Sequence, residues 1–195
     1  MLRLHLPTDP RWADIAHQNL HEILTDHAFC EQKAASNAIT LIVRYPEFDD
    51  MVTQMGALAV EEMQHFQRVH ELIIERGWSL GRERKDDYVN QLLQFVRKDG
   101  SRIQSLIERL LLGAMIEARS CERFKVLSEN VPDEKLAAFY RELMESEAGH
   151  YTLFITLARQ YGAAEKIDVD ARWREFLEYE SEIIQQYGNS ERIHG

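Results

Sequence analysis

Apolar residues recur at three- and four-residue steps along most of the chain. From Asn19 to Arg44 the stripe is Leu20, Ile23, Leu24, Ala28, Ala34, Ala35, Ala38, Ile39 and Ile42, one face of an amphipathic helix. A second stripe runs over 47–76 through Met51, Met55, Leu58, Phe66, Val69, Leu72 and Ile73, a third over 102–129 and a fourth over 133–161. Pro46 and Pro132 stand between the members of each pair, and a short proline-broken link predicts an antiparallel helical hairpin. The hairpins are joined by the Gly-rich, charged stretch 77–85 and a shorter amphipathic piece over 87–98, the only long connection among the main helices. A lead-in helix is expected after Asp9-Pro10, with Asp9 as N-cap, and a last amphipathic segment over 170–187 is expected outside the four main helices. Residues 188–195 read as a frayed tail. Short apolar runs such as 39–43 are continued on both sides by the helical period, so the chain is expected to be all-α.

What interrupts the stripes carries the chemistry. Glu31 falls on the first, Glu62 and His65 on the second, Glu117 on the third, Glu147 and His150 on the fourth. A Glu and a His three apart share a helix face, but the pair alone is a weak signal, since Glu191 and His194 repeat it in the tail. The lone Glu one helix earlier in each hairpin is what distinguishes the other two pairs. Glu31 lies 15 residues before Pro46 and Glu62 lies 16 after it; Glu117 and Glu147 each lie 15 from Pro132. At about 1.5 Å per residue, each hairpin rises and descends by roughly 22–24 Å, which brings all four carboxylates to one level. The halves also repeat: Glu117 follows Glu31 by 86 residues, and Glu147 and His150 follow Glu62 and His65 by 85. Four carboxylates and two imidazoles form a hard O/N donor set, and one Glu from each of two helices plus Glu-x-x-His from the other two is the di-iron or di-manganese carboxylate pattern of a ferritin-like four-helix bundle. Glu31 and Glu117 are expected to bind one metal each, His65 and His150 to give one nitrogen to each, and Glu62 and Glu147 to bridge.

Neighbouring residues receive plainer readings. His27, one turn before Glu31, either lines the site or is a core histidine with its own partner. Lys33 and Arg119 sit two positions after a ligand, on the opposite helix face, and are read as solvated. Tyr140 and Tyr151 read as core, and Cys30 and Cys121, which make no Cys-x-x-Cys unit, as reduced thiols.

Length and composition add limits. With 195 residues, 45% hydrophobic content, 4 Pro and 9 Gly, the chain is expected to form one domain over 1–195 around one core. No stretch has the roughly 18 uninterrupted apolar residues of a membrane span, and the N-terminus lacks a leader pattern, so a cytoplasmic protein is expected. The net charge of -10 argues against a general polyanion binder, yet residues 68–102 hold eight basic against six acidic residues.

Four segments resemble one family. His27-Ala28-Phe29-Cys30-Glu31-Gln32-Lys33-Ala34-Ala35, Glu61-Glu62-Met63-Gln64-His65-Phe66, Ile116-Glu117-Ala118-Arg119-Ser120-Cys121-Glu122-Arg123-Phe124 and Ser146-Glu147-Ala148-Gly149-His150-Tyr151 are similar to those of MiaE, the bacterial tRNA hydroxylases. The third segment is the most family-specific. The resemblance covers nearly the whole chain and implies an oxygen-dependent monooxygenase with two iron ions. It implies that the enzyme hydroxylates the isopentenyl group of 2-methylthio-isopentenyladenosine at position 37, in the tRNA anticodon loop. O2 would be co-substrate, and electrons would come from an external reductase or ferredoxin, because the chain has no flavin, nicotinamide or iron–sulfur signature. A tRNA substrate needs basic residues for its phosphates, and Arg76, Arg82, Arg84, Lys85, Arg97, Lys98 and Arg102 are the candidates from the basic window. The ligand set by itself equally suits an iron-storage or ferroxidase subunit, or a manganese catalase.

Overall fold

The computed structural model describes residues 2–187 and residue 193. The described residues form helices without strands, in the order α1 (Trp12–Gln18), α2 (Leu20–Arg44), α3 (Asp49–Glu75), α4 (Asp87–Phe95), α5 (Arg102–Asn130), α6 (Glu134–Glu165) and α7 (Val169–Tyr187). The expected tail, with its Glu191 and His194, lies outside the described residues apart from Ile193. No described helix is long and apolar enough to cross a membrane.

The chain divides into two compact units, one running Gln18–Lys85 and the other combining the N-terminal segment with the chain from Asp86 through α7. The first is the α2–α3 hairpin. Its α2 stops at Arg44 because the residue before a proline disfavours the helical region, and Tyr45 turns out at φ -131 and ψ 50. Helix α3 ends in a Schellman motif: Gly77 adopts φ 74 and donates to the Ile74 carbonyl at 2.8 Å, and Trp78 donates to that of Ile73 at 3.1 Å. The following strand-like stretch lies along α2. The Ser79 carbonyl meets His21 Nε2 at 2.8 Å, Glu83 pairs with Lys33 at 2.9 Å, and Arg84 pairs with Glu22 at 3.4 Å. Lys33 is thus at the surface, as expected.

The second unit is built on the α5–α6 hairpin. Ser101 and Gln104 form a capping box that starts α5, and Asp133 accepts from the Leu136 amide at 3.1 Å to start α6, each worth about 1 kcal/mol. Helix α6 runs past Gly162, where the apolar pattern was expected to end. The left-handed residue that closes it is Lys166, at φ 56, with Ile167 donating to the Gly162 carbonyl at 2.9 Å. Glycine is required at 162 for close packing, since a Cβ there would stand 2.3 Å from Val169 Cγ2.

Helix α5 is buried on almost every side; Leu110 to Met115 are six consecutive buried residues. The N-terminal segment, α4 and α7 cover the side that a two-helix hairpin would leave to water. Glu108 of α5 forms a two-pronged pair with Arg172 of α7, both bonds 2.7 Å, and the same guanidinium lies 4.2 Å over the Phe95 ring of α4. This covering overturns the solvated reading of Arg119. Its side chain is fully buried, donates to Glu180 through Nε at 2.8 Å and Nη2 at 2.6 Å, and reaches Glu122 at 3.2 Å and the Leu6 carbonyl at 3.0 Å. The Tyr88 hydroxyl donates to the same Glu180 oxygen at 3.3 Å, and burial, then the Glu180 charge, holds that phenol well above its usual range. Arg123, one turn on, rests 4.2 Å over the Trp12 ring, and burial pushes its guanidinium down to about 10. One face of α5 therefore fastens three other segments through buried charge.

Candidate metal centre

In the α2–α3 unit, Glu31, Glu62 and His65 each present a ligand atom within 4.8 Å of the other two, and all three are buried. His65 turns Nδ1 inward, 3.5 Å from Glu62 Oε2 and 4.0 Å from Glu31 Oε2, and its Nε2 outward, 4.0 Å from Glu61. In the α5–α6 unit, Glu117, Glu147 and His150 repeat the arrangement within the same 4.8 Å limit, again all buried. His150 Nδ1 lies 3.4 Å from Glu147 Oε2, and its Nε2 lies 3.5 Å from the Ser146 hydroxyl. In both hairpins the outward nitrogen faces the residue four positions before the histidine. A ring held as Nε2–H keeps the Nδ1 lone pair for a metal.

The local sequence explains the arrangement. Glu and His at i and i+3 share a helix face, and each hairpin sets its lone Glu opposite that pair. Two buried carboxylates and an imidazole packed this closely in an apolar hairpin would repel and lose hydration; a divalent cation removes both costs. The donors are carboxylate oxygen and imidazole nitrogen with no thiolate among them, which fits iron or manganese. Each triad therefore fits one such ion.

Two residues near the triads add detail. His27 is fully buried and its partner is Glu31 itself, with Nε2 2.5 Å from Oε1, so the core-histidine and site-lining readings of the sequence both hold. Cys121 is buried, its thiol donates to the Met144 carbonyl at 3.2 Å, and burial, then the Glu147 charge, pushes it up to about 12. It should stay a thiol through pH 9. Alkylation followed by peptide mapping is expected to modify Cys30, which is partly exposed, and to leave native Cys121 unlabelled. Tyr140 packs in the core against Phe124 and Phe139, whereas Tyr151, which was expected to be core, is only half-buried against Trp173.

The basic candidates meet different fates. Arg76 donates to the Leu72 carbonyl of its own helix at 3.0 Å, Arg84 pairs with Glu22, and Arg97 pairs with Glu175 at 2.8 Å. Arg82, Lys85, Lys98 and Arg102 are exposed.

The chain matches the family model described as tRNA-(MS[2]IO[6]A)-hydroxylase (MiaE) over residues 2–195. The chain belongs to the MiaE family. Two MiaE-type relatives, each named tRNA 2-(methylsulfanyl)-N(6)-isopentenyladenosine(37) hydroxylase, come from Pseudomonas putida and Salmonella typhimurium. The first is 38% identical over 98% of this chain and 91% of its own length, the second 32% identical over 98% and 87%. A solved structure, described as protein 43 with aldehyde deformylating oxygenase activity from Synechococcus, is similar with a TM-score of 0.89. It is 32% identical, over 98% of this chain and 95% of that one. The MiaE-family chain thus has the ferritin-like, all-helical fold that its ligand spacing led one to expect. Membership decides among the readings that the ligand set left open, in favour of a hydroxylase over a storage subunit or a manganese catalase.

Proposed function

We propose that this protein is an oxygen-dependent di-iron monooxygenase that hydroxylates the isopentenyl group of 2-methylthio-isopentenyladenosine at position 37 of tRNA. The observation that carries the reading is the pair of matching buried triads, one per hairpin, in a chain of the tRNA hydroxylase family. Glu31, Glu62 and His65 would hold one iron ion, and Glu117, Glu147 and His150 the other. Bound iron would supply the activation of O2 that no amino-acid side chain can perform on an unactivated C–H bond.

The remaining work belongs to the chain. The six side chains that would hold the metal are buried, which shields the site from bulk water. Ser146 lies within hydrogen-bond reach of His150 Nε2, and Glu61 faces His65 Nε2 from 4.0 Å, so each favours a ring that turns Nδ1 inward. The overall reaction inserts one oxygen atom of O2 into a C–H bond and reduces the other to water with two electrons and two protons. The electrons come from an external reductase or ferredoxin. Position 37 lies in a single-stranded loop, so its base can be splayed out and its substituent inserted without opening a duplex. A tRNA substrate is consistent with an activity in the cytoplasm.

Anaerobic reconstitution should give two irons per chain, and oxygen consumption should require modified tRNA plus a reductant. Reconstitution without bound iron would sink the proposal, and turnover of an aldehyde in place of tRNA would move the chemistry to that of the Synechococcus relative. Exposed Arg82 and Lys85 are expected to contact tRNA phosphate. Arg82→Glu with Lys85→Glu should weaken tRNA binding and reduce the slope of log K against log salt by about 0.7 for each lost contact. An unchanged slope would remove this loop from the tRNA footprint.

A further inference from the structure

The two halves of the chain repeat at the ligands but not at the position one turn earlier on α2 and α5. His27 precedes Glu31 by four residues, and Gly113 precedes Glu117 by four, so the two share a place in the repeat. His27 fills its place with a buried ring whose Nε2 meets Glu31 Oε1 at 2.5 Å. A carboxylate only accepts, so the ring nitrogen donates. Glu31 Oε1 is thereby engaged, while Oε2 points to His65 Nδ1 at 4.0 Å.

At the matching place in the other hairpin, Gly113 has no side chain, and the space is taken by Phe154. A Cβ at 113 would stand 3.0–3.1 Å from three atoms of that ring. Phe154 follows His150 by four residues, as Val69 follows His65, and both are buried. The exchange is reciprocal in volume: histidine with valine in one half, glycine with phenylalanine in the other. The difference is therefore built into the packing of each hairpin. Position 27 thus carries a side chain that reaches the lone carboxylate of its hairpin, and position 113 carries none.

We propose that His27 is a positioning residue for Glu31, holding Oε1 so that Oε2 alone is offered to the metal of that triad. The proposal rests on the reading that each triad holds a metal. Outer partners of metal ligands typically set affinity by ten- to a hundredfold. Losing His27 therefore weakens one metal position by that factor and leaves the other near its wild-type value.

The test is anaerobic titration of the apo full-length chain with cobalt(II), followed by visible absorption and equilibrium dialysis. Wild type should bind two cobalt ions. His27→Ala should weaken one of them about ten- to a hundredfold, shift the absorption bands of that ion alone, and leave the second affinity within about twofold. His27→Gln, which keeps an N–H donor, should recover part of the loss. Should the alanine variant fail to fold, His27→Leu, which fills the volume without a donor, is read in the same way. Two ions bound with wild-type affinities and spectra in the variant, or equal weakening of both, would overturn the proposal. Failure of the wild-type chain to bind cobalt overturns the metal reading itself, and this inference with it.

Discussion

Glu117→Ala should lower iron content from two per chain to one or none and reduce turnover on modified tRNA by at least about a hundredfold. Loss of a mere outer partner already costs ten- to a hundredfold, and Glu117 is taken here as a direct ligand. The carboxylate is buried beside Glu147 and His150, and alanine leaves no anionic donor in its place. Iron content by plasma emission and oxygen uptake measure the two effects separately. Normal turnover of the variant would sink the assignment of the α5–α6 triad. The same-size change Glu117→Gln gives a check of opposite sign. Without metal it removes a buried charge and should stabilise the apo protein. Added iron should then protect it less, where a hundredfold excess over Kd stabilises an intact site by about 2.7 kcal/mol.

The second large effect is structural. Arg119→Leu leaves Glu180 buried in a place where its main partner has gone, and breaking a buried pair in this way costs about 3–5 kcal/mol. For a chain of this size each kcal/mol moves Tm by roughly 2–4 °C, so a fall of roughly 6–20 °C is expected. Burial already lifts the Glu180 carboxyl above its ordinary value against the pull of Arg119, so without the guanidinium it will take up a proton more readily. Replacing both partners, Arg119→Met with Glu180→Leu, should restore most of the loss, because two apolar side chains carry no desolvation cost. A single variant within about 1 kcal/mol of wild type in urea denaturation would show that the pair holds nothing together.

The six candidate donors that the structure buries and gathers were legible because each is an exception on an otherwise apolar stripe, and because the exceptions repeat at 85 and 86 residues. Helix period and two prolines also placed the main helices to within a few residues, as local propensity and chain breaks are short-range properties. The misreading of Arg119 has a physical cause. Periodicity tells which face of a helix is apolar; it does not tell what covers the other face. Lys33 and Arg119 hold equivalent places in the repeat and were read alike, yet Lys33 lies at the surface with Glu83, and Arg119 is sealed under the N-terminal segment, α4 and α7.

The sequence by itself therefore determined an all-helical chain of two related hairpins and the donor set each carries, since spacing along a helix fixes which side chains share a face. Tertiary structure decided what surrounds each hairpin and how its spare volume is filled. That is why Arg119 is a buried clamp where Lys33 is solvated, and why His27 reaches Glu31 where Gly113 yields its place to Phe154. Those outcomes depend on contacts between residues far apart in the chain, and no local pattern encodes them.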